Sequence, residues 1–315
     1  MKNALLQCLS HSPIKGFLDP HASVVDETRA VIESLSADLK AFNPELIFLF
    51  APDHYNGFYL DNMPQLCIGM SATSVGDYGT LAGPLNVPRE LAEQCAAYVV
   101  ANDFDLAISY RMQVDHGFSQ PLQELAGSLS TYPVIPIFIN SVAPPVVSFK
   151  RARQFGEAIG SFAATLNKRI LFIGSGGLSH NPPVPQIASA SAEVAERIIA
   201  GRNPSRDAIN ARQERTVNAA RQFAQGVSEL TPLNSAWDQK FMEHLAQKDW
   251  PAIDAYKNDE ITREGGASAH EVKTWVAANA AMNALSKGRY TAKARYYKEI
   301  PEWIAGFGVL AGRPD

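Results

Sequence analysis

The stretch LIFLFAPDH, residues 46–54, places a histidine just past the end of a short apolar run. An apolar run of this length is typical of a buried strand. Three further runs are followed within a few residues by a histidine: LLQCL (5–9) by His11, LAISY (106–110) by His116 and RILFI (169–173) by His180. If these runs are parallel strands, their carboxyl ends face one crevice, where open α/β sheets bind ligands. The sequence therefore predicts that four imidazoles meet at one site.

Outward from residue 46, strand and helix patterns alternate through residue 175. Apolar residues recur at helical spacing over 24–42, and Asn43-Pro44 ends that helix. Further helices are predicted over 89–101, 121–129 and 149–166, further strands over 105–110, 133–139 and 169–173, and an irregular excursion near the site over 55–87. The alternation predicts an α/β fold: a three-layer α/β/α domain with a mainly parallel central sheet.

The pattern changes at about residue 187. Helices are predicted over 188–200, 205–226, 235–246 and 270–287, and no convincing strand follows. Because no linker rich in Gly, Ser or Pro separates this part, we expect one domain over 1–315. Its sheet-forming half (about 1–180) would carry the helical half (about 187–315), which covers one side of the crevice. The aromatic tail, from Arg295 to Phe307, should be buried over the site or at a subunit interface, and we expect a homo-oligomer.

Composition excludes several classes of protein. The chain has 315 residues, 46% of them hydrophobic, and a formal net charge of −4 without a basic stripe, so neither nucleic acid nor an anionic membrane is expected as a partner. The start, MKNAL, is too short in apolar residues for a signal peptide, and no stretch could span a bilayer. Three scattered cysteines indicate neither a disulfide framework nor a thiolate zinc site. We expect a cytoplasmic protein.

The histidines favour metal chemistry. Imidazole is the commonest metal ligand and a proton shuttle at neutral pH, and two histidines with one carboxylate form the triad that holds non-haem Fe(II). His11 and His54 follow their runs most closely and are the better ligand candidates, whereas His116 and His180 lie on longer loops that could reach a substrate. Two histidines and a glutamate also hold catalytic zinc, so a zinc hydrolase is an alternative. A binding protein with a decayed metal site is another.

The carboxylate of the triad has several candidates. Asp53 and Asp115 adjoin histidines, but neighbouring side chains in extended backbone point apart. Glu271 shares a helical face with apolar residues, so its carboxylate should point inward. It also ends the segment SAHE (268–271), which matches a capping box, and both interpretations stay open.

The glycine-rich segment GSGG, residues 174–177, does not match a phosphate-binding loop. Ser179 stands where G-x-G-x-x-G needs its third glycine, no G-K-[ST] follows, and no G-x-S-x-G nucleophile motif is present. We expect these glycines to let the backbone turn tightly and approach a ligand.

Several motifs together carry a resemblance to a known family. They are SHSP (10–13), APDHYNG (51–57), VDHG (114–117), GSGGLSH (174–180), HEVKTW (270–275), Tyr296-Tyr297 and PEWIAGFG (301–308). The chain resembles the class III extradiol ring-cleaving dioxygenases over essentially its whole length. The resemblance implies that His11, His54 and Glu271 ligate Fe(II), with His116 as proton donor and His180 as proton acceptor. The sequence leaves the reverse acid–base assignment open.

The resemblance also implies a reaction. The expected enzyme opens the ring of 3-(2,3-dihydroxyphenyl)propionate, or of its cinnamate counterpart, with O₂. The product would be 2-hydroxy-6-oxonona-2,4-dienedioate, in bacterial meta-cleavage of aromatic acids. A buried propionate needs a cation or several N–H donors. Lys15 and Arg111, on loops following the runs that lead to His11 and His116, are the candidates, and nothing in the sequence selects between them.

Overall fold

The computed structural model describes residues 3–315; Met1 and Lys2, part of the start examined for a signal peptide, lie outside it. The strands are β1 (Ala4–Leu9), β2 (Leu46–Ala51), β3 (Leu66–Gly69), β4 (Ala72–Val75), β5 (Ala82–Pro84), β6 (Ala107–Ser109), β7 (Met112–Val114), β8 (Val134–Ile139), β9 (Ile170–Ser175), β10 (Tyr290–Ile300) and β11 (Ala305–Pro314). The helices are α1 (Ala22–Phe42), α2 (Arg89–Ala101), α3 (His116–Ala126), α4 (Phe149–Ala163), α5 (Ala192–Ala200), α6 (Arg206–Ala224), α7 (Ser235–Gln247), α8 (Trp250–Ala255), α9 (Asn258–Gly265) and α10 (Lys273–Ser286).

Eight strands form the central sheet in the order β10-β11-β1-β9-β2-β8-β3-β6. The middle strands β1, β9, β2 and β8 run parallel, while β11 and β3 flank them in the opposite direction. A second sheet has the order β5-β4-β7. The predicted α/β fold is confirmed, and the parallel strands occupy the middle of the sheet.

The middle strands are buried on both faces because successive side chains point to opposite sides. Leu6, Phe48 and Phe172 pack on one side with residues of α2, α4, α7 and α10, whereas Leu5 and Leu49 pack on the other with α1 and α3. The result is the predicted arrangement of helices on both faces of one sheet. No helix within residues 3–315 is long and apolar enough to cross a membrane.

The backbones of helices α4 and α10 pack almost in contact with each other. A Cβ built on Gly156 would lie 2.1 Å from the backbone oxygen of Ala277, and one on Gly160 would lie 2.1 Å from that of Ala281. The two helices can pack this closely only because these positions lack a side chain. Glu271 immediately precedes α10, so this packing helps to set its position.

The prediction that no strand follows residue 187 is wrong. β10 and β11 form an antiparallel hairpin, and β11 pairs with β1 inside the sheet. The backbone N–H of Gly306 donates to the oxygen of Ser179 at 2.8 Å, and that of Ser10 donates to Gly308 at 2.9 Å. The predicted irregular segment 55–87 also contains β3, β4 and β5. The aromatic tail is therefore a structural part of the sheet that contacts the loops of two histidines.

Candidate active site

Three of the four predicted histidines follow adjacent strands of the central sheet. His11, His180 and His54 come after β1, β9 and β2, which are neighbours in that order. His116 differs: the run 106–110 contributes only β6, and His116 begins α3 directly after β7 of the small sheet. The parallel strands explain three of these positions, and the second sheet supplies the fourth.

Glu271 brings the histidines together. Its fully buried carboxylate lies 3.3 Å from His11 Nε2, 3.2 Å from His54 Nε2 and 3.0 Å from His180 Nε2. It also accepts the backbone N–H of Gly177 at 3.1 Å. The capping-box interpretation is wrong, because Ser268 makes no side-chain cap bond and the glutamate faces the histidines instead.

In each of the four histidines Nδ1 makes a hydrogen bond within the protein, so Nε2 is the nitrogen that faces the site. Such bonds fix the tautomer and orientation of imidazoles at metal and proton-transfer sites. The Nδ1 partners are Ser175 Oγ for His11 (2.9 Å), Asp115 Oδ2 for His54 (3.0 Å), Asp77 Oδ2 for His116 (2.6 Å) and the Leu178 oxygen for His180 (2.9 Å). All four rings are held, and their Nε2 atoms are left for the site.

The aspartates beside the histidines have supporting positions. Asp53 accepts the backbone N–H groups of residues 56–58 and so holds the loop after β2. Asp115 accepts both the backbone N–H and Nδ1 of His54, together with the Asn56 amide. Both carboxylates are occupied by these bonds, which leaves Glu271 as the carboxylate that faces the histidine Nε2 atoms.

Besides the group of Asp77, Asp115 and His116, two overlapping sets of side chains could hold a metal ion. One is His11, His54 and Glu271; the other is His11, His54 and His116, whose nitrogens all lie within 4.8 Å of one another. The sets share His11 and His54, and the rings of His54 and His116 stack at 4.4 Å. Nitrogen and carboxylate donors around a buried position fit a divalent transition metal.

The electrostatics of the site also fit a cation. Burial lowers the pKa of His11 to about 3, against the opposing charge of Glu271, so His11 is a neutral imidazole with a free lone pair. Burial acts to raise the pKa of Glu271, but His180, His54 and His11 together hold it well below its usual range. No lysine or arginine pairs with this carboxylate among residues 3–315, so the buried anion is contacted by imidazoles and by the Gly177 N–H. Such an anion needs a positive charge beside it.

A cavity of about 440 Å³ opens beside the four histidines. Ile14, Val184 and Trp303 give it apolar walls, and Arg197, Arg212 and Arg215 line it from α5 and α6. An apolar pocket with a few convergent polar groups is typical of a small-molecule site.

Neither Lys15 nor Arg111, the two cations predicted to bind the propionate of the substrate, lines this cavity. The Lys15 ammonium pairs with Glu124 at 2.8 Å and faces a separate groove, and Arg111 is exposed in the turn between β6 and β7. Both expectations are corrected, because a loop that follows a histidine-bearing run need not point at the cavity. The arginines of α5 and α6 went unpredicted, since their spacing is that of any solvated helix face.

The glycine-rich loop packs closely against protein, and its approach to a ligand stays a prediction. A Cβ on Gly176 would lie 2.6 Å from the backbone oxygen of Glu271, and one on Gly177 would lie 2.5 Å from the His180 ring. The loop therefore lets the glutamate and the histidine approach each other.

Comparisons with known proteins cover nearly the whole chain. Residues 5–308 match the family described as the catalytic LigB subunit of aromatic ring-opening dioxygenase. A protein of Dechloromonas aromatica, named 2,3-dihydroxyphenylpropionate/2,3-dihydroxicinnamic acid 1,2-dioxygenase 2, is 61% identical over 99% of this chain and 98% of its own. An enzyme of Burkholderia vietnamiensis, named as a 1,2-dioxygenase for the same two compounds, is 55% identical over 98% and 96%. The crystal structure of the uncharacterized protein JW3007 from Escherichia coli K12 covers 97% of this chain at a TM-score of 0.52 and 12% identity, which shows a common fold alone.

Proposed function

Since the chain belongs to the family of the catalytic LigB subunit of aromatic ring-opening dioxygenases, we propose that it opens 3-(2,3-dihydroxyphenyl)propionate, and the cinnamate counterpart, beside the ring hydroxyls. The product would be 2-hydroxy-6-oxonona-2,4-dienedioate. The observation that carries the proposal is the buried Glu271 carboxylate, enclosed by His11, His54 and His180 beside an apolar cavity. The substrate is supported by the names of relatives that are more than half identical over nearly the whole chain.

Fe(II) is the metal we propose, with His11, His54 and Glu271 as its ligands. Two neutral imidazoles and a carboxylate are the donors of the non-haem Fe(II) triad. When bound, Fe(II) would supply the Lewis acidity and redox chemistry that ring opening with O₂ requires. The site itself supports this set, because the Nδ1 atoms of both histidines are engaged elsewhere and no lysine or arginine of residues 3–315 pairs with the carboxylate.

His180 is proposed as the proton acceptor. Its Nδ1 faces the carbonyl oxygen of Leu178, which accepts and does not donate, so Nδ1 must carry the hydrogen. Burial acts to lower the pKa of His180, but the Glu271 carboxylate, 3.0 Å from Nε2, raises it overall, so this ring can take up the proton of a catechol hydroxyl.

His116 is proposed as the proton donor. Its Nδ1 lies 2.6 Å from the buried Asp77 carboxylate, which holds the ring with Nε2 toward the cavity. In this role a proton on Nε2 is delivered to an oxygen atom of the opening ring.

Anaerobic loading with Fe(II), followed by O₂ in the presence of a panel of catechols, tests this function. The expected result is an oxygen-dependent yellow ring-fission product, formed fastest from the propionate. Iron-loaded protein that consumes no O₂ with any catechol would refute the proposal. Metal analysis and assays with hydrolase substrates test the zinc-hydrolase alternative, for which the comparisons offer no support.

A cytoplasmic location and a homo-oligomer are also proposed. Cys8, Cys67 and Cys95 are buried free thiols, and burial raises the pKa of each, so they are unreactive as thiolates. Free cysteines fit a reducing compartment. Mass measurement of the native protein in solution tests the oligomer.

A further inference from the structure

Two helices of the C-terminal half deliver arginines to the cavity that holds the histidines. Arg212 and Arg215 are three residues apart on α6 and share one helix face with Thr216 and Ala219, which also line the cavity. Arg197 comes from α5. Three positive side chains therefore face one small space.

This arginine group (Arg197, Arg212 and Arg215) is not matched by carboxylates in contact with it among residues 3–315, although the charge of Glu193 acts on Arg197. None of its members forms an ion pair with a carboxylate in the described part of the chain, whereas Arg153 and Arg202 pair with Asp254 and Asp61. The Nε of Arg212 is buried and has no hydrogen-bond partner. Burial and the charges of Arg215 and Arg212 also lower the pKa of Arg197. A buried donor without a partner and unpaired like charges are unfavourable, and an anion would relieve both.

The arginine group is tied to the metal-binding end of the site. Arg212 Nη2 donates to Asn56 Oδ1 at 2.7 Å, and Asn56 Nδ2 donates to Asp115 Oδ2 at 2.9 Å. The same Asp115 oxygen lies 3.0 Å from His54 Nδ1. This chain of bonds fixes the Arg212 guanidinium relative to His54, while its buried Nε has no hydrogen-bond partner in the described part of the chain.

We infer that the arginine group is a carboxylate subsite, which selects aromatic acids whose side chain reaches α5 and α6 while the ring lies against the histidines. The inference rests on the proposed function and adds the residues that recognise its substrate. Guanidinium groups match a carboxylate in shape and charge, because their N–H donors form a planar fork. Lys15 cannot do this work while it pairs with Glu124.

Substrate discrimination tests the inference. The measurement is the ratio of kcat/KM for 3-(2,3-dihydroxyphenyl)propionate to that for 3-propylcatechol, which lacks the carboxylate. Loss of a charge-assisted hydrogen bond predicts that Arg212→Met and Arg197→Met each lower this ratio by about 10- to 100-fold. Arg206→Met is the matched control, since Arg206 is exposed at the start of α6 and does not line the cavity. Ratios in both test variants equal to that of Arg206→Met would overturn the inference.

A binding measurement separates this inference from the proposed function. Anaerobic calorimetry with 3-phenylpropionate and 3-phenylpropanol needs no catechol and no turnover. The parent protein should bind the carboxylate more tightly than the alcohol, and Arg212→Met should remove the preference while retaining the parent's melting temperature. If that preference exists but no catechol is cleaved, the subsite stands and the proposed function fails. If catechols are cleaved but the parent shows no preference, the subsite alone is wrong.

Discussion

His54 contacts both carboxylates that organise the site, Asp115 through Nδ1 and Glu271 through Nε2. We expect His54→Ala to lose iron together with turnover. Loss of an outer partner of a metal ligand typically lowers metal affinity by ~10–100-fold, so loss of a ligand should lower it at least as far. Iron content after anaerobic loading and desalting measures this. His21→Ala is the control, because His21 is exposed at the start of α1. A His54→Ala protein that keeps iron as tightly as the parent contradicts the assignment.

The two histidines proposed for proton transfer should behave differently from the proposed metal ligands. We expect His116→Ala and His180→Ala to keep iron and to lose about 10²–10⁴ in rate, as for general acid–base residues. Iron content and kcat are measured on the same samples. An iron-free His116→Ala protein would instead favour the set of His11, His54 and His116 as ligands. Near-normal turnover in both variants would make these imidazoles structural.

The sequence pattern predicted that the histidines meet at one site, because the carboxyl ends of parallel strands lie at the same edge of a sheet. His11, His54 and His180 each follow a strand of the parallel core, so local sequence was enough to bring them together. The direction of Glu271 was left open, since a capping box and a buried ligand share one pattern. Asp77 gave no usable signal: it lies between glycines in an irregular turn, and only the fold brings it to His116.

At the scale of elements, the contact between α4 and α10 depends on missing side chains. We expect Gly156→Ala to lower the free energy of unfolding by about 1–3 kcal/mol, the usual effect of overpacking, because its Cβ would overlap the backbone of Ala277. Urea unfolding measures the change. Ser161→Ala, on the same helix but only partly buried, is the control and should differ little. An unchanged Gly156→Ala protein would show that the helices separate at little cost.

Asp238 connects α7 to two other elements and makes stability depend on pH. It accepts the backbone N–H and hydroxyl of Ser179 and the hydroxyl of Tyr297, yet burial raises its pKa to about 6. The folded protein therefore keeps this proton at pH values where the unfolded chain has lost it. From about pH 4 to pH 6, the free energy of unfolding should fall as pH rises, by roughly 3 kcal/mol.

Asp238→Asn removes this titration and keeps an amide that can bond to the same groups. The stability of the variant relative to the parent should therefore rise between about pH 4 and pH 7. Urea unfolding of both proteins at the two pH values measures the change. A difference that stays constant with pH would mean that Asp238 is ionised throughout this range.

The hairpin of β10 and β11 could not be predicted by period-two alternation. A register shift between Ala294 and Tyr296 interrupts the alternation in β10. β11 is rich in glycine, which is unfavourable in strands, but a Cβ on Gly308 would lie 2.6 Å from Leu178. The feature that hides the strand from sequence analysis is the one that lets it pack against the loop of His180.

At the scale of the whole molecule, the expected single domain over 1–315 stays a prediction. If it is correct, near-ultraviolet and far-ultraviolet circular dichroism should report one coincident unfolding transition. Two separated transitions would indicate that the α5 and α6 region unfolds independently of the sheet. The arginine group would then belong to a part of the protein that can open without loss of the histidine site.

Because β11 lies late in the sequence, it is synthesised after the strands of the central sheet that carry the histidines. A ribosome completes β1, β2 and β9, with their histidines, long before it makes residues 305–314, and domains begin to fold as they emerge. Until then the edge of β1 opposite β9 is unpaired, and Ser10 and Ser179 lack the backbone partners that β11 provides. A nascent chain therefore carries all four histidines without a finished site, and an exposed strand edge is where chaperones or other chains can bind. Iron should be acquired late, after the hairpin has closed the sheet.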